Sequence, residues 1–107
     1  MAPWLDRMDR HFEDKALFND SSLTMPPSEY FKRQCWISFD PDESLLKTTA
    51  EHPLVGADRI IWASDYPHPD AKFPGVTEEL DEALEGLTYE QQRSITSESA
   101  LALYGIE

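Results

Sequence analysis

The first hydrophobic residues of the chain recur every three or four positions. This spacing predicts an amphipathic helix over residues 3–14, because these side chains would then lie on one helix face. Pro3 suits the first turn of such a helix, where no backbone N–H is required. The apolar positions that define the face are Trp4, Leu5, Met8 and Phe12.

A polar, proline-containing stretch follows this helix. Residues 19–27 contain Asn-Asp-Ser-Ser and Met-Pro-Pro, both of which interrupt regular structure and predict a loop. Ser28 is then placed to cap a short helical turn over residues 28–33.

Two runs of strand-forming residues occupy the middle of the chain, at 34–39 and 59–64. The second run is continuously apolar at its centre, which is typical of a strand covered on both faces. Between the two runs, Asp42 is predicted to cap a helix that extends to about residue 51. The order strand, helix, strand at these lengths predicts a βαβ unit with parallel strands.

The last third of the chain is predicted to be helical after a loop that ends near residue 76. Thr77 is expected to cap the first of these helices. Thr88 and Gln91 have the spacing of a capping box, which indicates that another helix begins there. Ser97 is a candidate cap for the final helix, and Gly105 is expected to end it.

This set of elements implies a physical problem at the edges of the sheet. A sheet of two parallel strands leaves both outer edges unpaired, and unpaired edges promote association with other strands. The helices could cover only part of the apolar strand surface. The pattern therefore predicts that the chain is a piece of a larger parallel α/β structure. Such a chain is expected to self-associate or to bind a complementary segment.

Composition narrows the possible partners. The chain has 107 residues, which suits one domain over 1–107 without a second. Its 9 basic and 21 acidic residues give a net charge of −12, which argues against nucleic acid and anionic membranes as partners. Cys35 is the only cysteine, and no signal-peptide pattern opens the sequence, so a reducing cytoplasmic setting is expected.

Polar residues that could carry chemistry follow each predicted strand. Asp40 ends the first strand and Asp65 ends the second, and the carboxyl ends of parallel strands are where functional groups gather. His68 and Asp70 lie close to Asp65 in sequence, so the group could ligate a divalent metal or act as a general base. From spacing alone, however, a role in a turn explains Asp65 better, and His68 is better explained as an exposed histidine. The same turn interpretation holds for Asp40, which Pro41 follows.

The sequence Arg-Ile-Ile-Trp-Ala-Ser-Asp-Tyr-Pro-His at 59–68 resembles the last barrel strand of the amidohydrolase-related family. That family includes the aminocarboxymuconate-semialdehyde decarboxylase-like enzymes. Three further stretches resemble the family in the same order, at 4–9, 27–39 and 88–106.

The resemblance implies an α/β fold that is the C-terminal fragment of a (β/α)8 TIM barrel, with strands seven and eight and the closing helices. The position of Asp65 matches the aspartate that completes the family's metal site, usually zinc, and contacts the attacking water. His68 and Asp40 are assigned to the substrate pocket, although His68 could instead pack the loop. Ser99 stands where the family usually has asparagine. That asparagine is expected to have a structural role, so its replacement is interpreted as a minor change.

The resemblance also indicates what is missing. In the family, an HxH pair on strand one and later histidines supply most metal ligands, and this sequence contains no HxH motif. Tight zinc binding by this chain is therefore not expected. The parent enzyme would hydrolyse or nonoxidatively decarboxylate a small carboxylated or cyclic substrate. The alternatives are a half-barrel that needs a complementary chain, or an acidic interaction module without catalysis.

Overall fold

Two parallel strands form the centre of the fold, as the sequence predicted. The computed structural model describes residues 1–14 and 22–106. Strand β1 is Ile37–Phe39, the C-terminal half of the first predicted run. Strand β2 is Ile60–Trp62, near the centre of the second. The Ala63 N–H donates to the Phe39 carbonyl at 2.9 Å and adds one bond beyond the ladder. The register pairs Ile37 with Ile60, Ser38 with Ile61 and Phe39 with Trp62.

The connection between the strands contains helix α3, Leu46–Glu51, and a 3₁₀ turn, Ala57–Arg59. The predicted cap at Asp42 is wrong, because α3 begins later, with Leu45 at the N-cap position and no side-chain cap bond. Instead, residues 40–43 form a turn in which the Glu43 N–H donates to the Asp40 carbonyl at 3.0 Å. This turn leaves the carboxylate of Asp42 at the edge of the sheet rather than at a helix end.

Two helices precede the sheet. Helix α1 is Ala2–Glu13, which confirms the predicted amphipathic helix, and α2 is Pro27–Gln34. Ser28 does not cap α2, because proline occupies the first helical position and the helix starts one residue earlier than expected. The Ser28 N–H donates to Asp9 Oδ1 at 2.9 Å and so ties α2 to α1. Residues 19–21 of the predicted loop lie outside the described residues.

The C-terminal helices close the fold. Helix α4 is Val76–Ala83, α5 is Tyr89–Arg93 and α6 is Ser99–Tyr104. A π-helical segment, Ser94–Glu98, joins α5 and α6 without a break. None of the helices in the described ranges combines the length and the apolar character needed to traverse a bilayer.

The predicted ends of these helices are partly correct. The capping box is confirmed, since the Gln91 N–H donates to Thr88 Oγ1 at 3.2 Å and the Thr88 N–H donates to Gln91 Oε1 at 2.9 Å. Gly105 is left-handed (φ 63°) and ends α6 as expected. Thr77 lies inside α4, which Gly75 precedes, and Ser97 lies inside the π-helical segment, so neither starts a helix.

The core lies between β2 and the π-helical segment. Ile60 on β2 and Ile95 in that segment are almost fully buried, at 1% and 0% exposure. Ser99 is also buried, and its hydroxyl donates to the Ala57 carbonyl at 3.3 Å. This bond connects α6 to the turn that leads into β2, which gives the serine the structural role expected of that position.

Within the described residues each strand has one strand neighbour, so the other edge of β1 and of β2 has no strand partner. An apolar groove of about 280 Å³ runs beside β1, with Ile37, Phe39, Leu45 and Leu46 among its lining residues. The open edges and this groove agree with the α/β class and with the predicted lack of full cover for the sheet.

Candidate functional site

The carboxyl ends of both strands meet at one cleft, as the parallel arrangement predicts. The cleft has a volume of about 250 Å³. The segment after β1, the segment after β2 and helix α4 all contribute to its walls. The lining residues are Asp40, Pro41, Asp42, Ser64, Asp65, Asp70, Ala71, Lys72 and Glu79.

Asp65 lies three residues beyond the end of β2. Its backbone is left-handed, with φ 53°, a conformation that aspartate tolerates better than most residues other than glycine. The His68 N–H donates to the Asp65 carbonyl at 2.8 Å, so the turn that the sequence favoured for Asp65 is present. Because the chain turns back here, residues three and five positions later return to the carboxylate of Asp65.

Three of the predicted polar residues form a cluster at this turn. His68 Nδ1 lies 3.5 Å from Asp65 Oδ2, and the same nitrogen is hydrogen-bonded to Asp70 Oδ1. One donor atom from each of Asp65, His68 and Asp70 lies within 4.8 Å of the other two, and all three residues are exposed. We call this group the Asp65 cluster.

Hydrogen bonding and nearby charges shift the pKa values of His68 and Asp70 in the cluster. The hydrogen bond to Asp70 is the largest influence that raises the pKa of His68, and the charges of Asp70, Asp65 and Asp40 add to it. In return, the bond to His68 lowers the pKa of Asp70. Asp40 therefore acts on the cluster through its charge, in addition to lining the same cleft.

We expect an NMR titration of the imidazole to give His68 a pKa above the ordinary value of about 6.5. Any stabilisation from the pairing is then fully present below pH 6.5 and is lost as the pH rises through the higher folded-state pKa. Asp70→Asn is expected to lower the pKa of His68, because it removes the dominant partner. Asp6→Asn makes the same charge change on α1 and should leave the pKa of His68 unchanged. An equal shift of that pKa in both variants would contradict a specific contact between His68 and Asp70.

The donor chemistry of the Asp65 cluster fits part of a divalent-metal site. Zinc in proteins is bound by imidazole nitrogen and carboxylate oxygen, and catalytic zinc sites use three protein ligands. The cluster offers one nitrogen and two carboxylates, which are close enough together to face a single ion. Two features weaken this fit. The three side chains are exposed to solvent, and a bound ion would have to replace the hydrogen bond between His68 Nδ1 and Asp70.

Sequence reasoning missed two residues of the cleft. Lys72 and Glu79 line it and form an ion pair with Nζ and Oε1 2.9 Å apart. Their pairing joins the loop after β2 to α4, and no periodicity or motif marks it. Asp42 also lines the cleft, whereas the sequence suggested a helix cap.

Comparison with known proteins assigns the chain to a family. No curated protein matches the chain. The family model described as amidohydrolase matches residues 5–106, which includes both strands, the Asp65 cluster and the closing helices. The chain therefore belongs to the amidohydrolase family.

Proposed function

We propose that this chain forms the C-terminal part, strands seven and eight, of a (β/α)8 barrel in a metal-dependent amidohydrolase-type enzyme. The aminocarboxymuconate-semialdehyde decarboxylase-like enzymes are the proposed subfamily. The parent enzyme hydrolyses or nonoxidatively decarboxylates a small carboxylated or cyclic substrate. Zinc is the proposed metal, with Asp65 as its ligand and catalytic carboxylate.

One observation carries this proposal. In a chain that belongs to the amidohydrolase family, Asp65 lies just past the end of a parallel strand and within reach of His68 and Asp70. The mouth of a parallel barrel, at the carboxyl ends of its strands, is where catalytic groups collect. A role in the turn accounts for the backbone of Asp65 but not for the convergence of three side chains of the types that bind metals.

Each side chain of the site has a separate role in the proposed reaction. When bound, a divalent metal would supply an activated water and polarise a carbonyl or carboxylate oxygen of the substrate. Asp65 would hold the metal and accept a proton from the attacking water at a carboxylate oxygen. Asp70 orients His68 toward Asp65, and Asp40 keeps the surroundings negative, which favours a cation.

The isolated chain is expected to hold zinc weakly and to lack amidohydrolase activity. The three donors of the Asp65 cluster are exposed, and His68 Nδ1 is already hydrogen-bonded to Asp70. The HxH pair that supplies further ligands in the family is absent from this sequence, so a tight site is not expected. After exposure to zinc and desalting, elemental analysis should find far less than one zinc per chain. Tightly held, equimolar zinc would refute this expectation and the proposed dependence on further barrel strands.

A second candidate function is favoured by the open sheet edges. The chain could be a half-barrel that binds a complementary segment and contributes Asp65 in trans, because neither β1 nor β2 is covered on its outer side by a described strand.

In the absence of such a segment we expect the chain to self-associate through the open edges. Sedimentation velocity should show species larger than 12.3 kDa that increase with concentration. A single monomeric species across the concentration range would contradict this prediction and favour the alternative of an independent acidic module.

A further inference from the structure

The charges around the cleft are strongly unbalanced. Five carboxylates and one lysine line it. A substrate that carries its own carboxylate would be repelled by most of this surface, because like charges at short range oppose binding. Lys72 is the only cation among the residues that line this cleft.

Lys72 forms an ion pair with Glu79 in the cleft. Its Nζ lies 2.9 Å from Glu79 Oε1, and the two side chains are 53% and 24% exposed. The bond to Glu79 raises the pKa of Lys72, so the ammonium group stays charged at neutral pH. Exposed ion pairs of this kind contribute little to stability, so another carboxylate can displace Glu79 without a large loss.

We propose that Lys72 is a specificity-determining residue, which binds the carboxylate of a small anionic substrate in the cleft beside Asp65 in exchange for Glu79. This rests on the proposed function, because that function supplies the reason for a substrate in the cleft. Lysine suits the role, since its compact ammonium group can donate up to three hydrogen bonds to a carboxylate that approaches from several directions. The proposal narrows the substrate class to carboxylated compounds.

The competing interpretation is that the ion pair only fastens the loop after β2 to α4. The two interpretations differ in the effect of removing Glu79. If the pair is only a fastener, Glu79→Gln and Lys72→Met should both loosen the loop and leave anion binding unaffected. If Lys72 receives a substrate carboxylate, the two substitutions should change anion binding in opposite directions.

The test is an NMR titration of the ¹⁵N-labelled 107-residue chain with benzoate in metal-free buffer, with neutral benzamide as the matched probe. We expect benzoate to change the chemical shifts of the backbone amides around Lys72, and benzamide to leave these shifts unchanged. Lys72→Met should weaken benzoate binding by roughly tenfold, the lower end of the range for a charge-assisted hydrogen bond. Glu79→Gln should strengthen it, since the competing carboxylate is gone.

Two variants control for net charge. Lys47→Met removes a lysine on α3 that does not line this cleft, and Glu85→Gln removes an acid that does not line it. Both should retain the benzoate affinity of the unmodified chain. Equal weakening by Lys72→Met and Lys47→Met, equal shifts with benzamide, or no benzoate binding at all would overturn the assignment of Lys72.

Failure of this inference is distinguishable from failure of the proposed function. No metal is present in the titration, so its result does not depend on metal binding by Asp65. If benzoate binding does not depend on Lys72 but zinc binding requires Asp65, only the role proposed for Lys72 is rejected. A Lys72-dependent benzoate site in a chain whose weak zinc binding is unchanged by Asp65→Asn would leave the anion site in place and contradict the proposed role of Asp65 as a metal ligand.

Discussion

Replacing Ile95 with alanine is expected to lower the free energy of unfolding by about 2–5 kcal/mol, the usual range for isoleucine-to-alanine changes in a core. Ile95 is 0% exposed and belongs to the π-helical segment that packs on β2. The substitution removes buried apolar surface and leaves a cavity against the strand. Small domains have only about 5–15 kcal/mol of stability in total, so this single change could unfold much of the chain.

Urea denaturation followed by circular dichroism measures this effect. Ile106→Ala is the matched control, because it removes the same atoms from a side chain that is 58% exposed. Its effect should stay within about 0.5 kcal/mol, as for most surface substitutions. Similar losses in both variants would mean that β2 and the π-helical segment do not form the core described above.

The parts of the fold that were predictable depend on local patterns. The spacing of apolar residues placed α1, and the Thr88–Gln91 capping box placed the start of α5, because both signals come from residues within two helical turns. The parallel pairing followed from the order of elements and the length of the connection. These features are determined by short stretches of sequence, so the sequence alone was sufficient to find them.

The helix starts at Ser28 and Thr77 were placed wrongly for a common reason. A residue that is able to cap a helix does so only if the backbone enters the helix at that position. Pro27 starts α2 before Ser28, and Gly75, at φ 100°, turns the chain into α4 before Thr77. Backbone geometry set by proline and glycine therefore overrode the preference of the polar side chains.

The candidate site also contains residues that the sequence could predict and residues that it could not. Asp40 and Asp65 were predictable because parallel strands bring their carboxyl ends to one edge. The family resemblance, rather than spacing, was the reason to propose a catalytic role for Asp65, which stays a prediction. Lys72 and Glu79 were not predictable, because they meet only through the path of the irregular loop between β2 and α4. Such a contact is a tertiary feature with no periodic signature in the sequence.

Asp65→Asn tests the centre of the proposed function with the smallest change of shape. Asparagine has nearly the same size as aspartate and also tolerates a left-handed backbone, so the turn at φ 53° should persist. The substitution removes the negative charge and the basicity that a metal ligand and proton acceptor require. We expect zinc binding to weaken at least tenfold, since changes even to supporting groups around a metal typically cost about 10–100-fold.

A zinc titration that monitors the imidazole resonances of His68 can detect this loss even when binding is weak. In any assembly that completes the barrel, the same substitution should reduce kcat/KM by about 10²–10⁴-fold, the usual contribution of a general acid or base. Asp42→Asn is the matched control, because Asp42 lines the same cleft but is not part of the Asp65 cluster. If both variants bind zinc equally, the ion responds only to the negative charge of the cleft, and Asp65 is not a ligand. If only Asp65→Asn loses zinc, the carboxylate just past the end of β2 is the one that holds the metal, as the proposed chemistry requires.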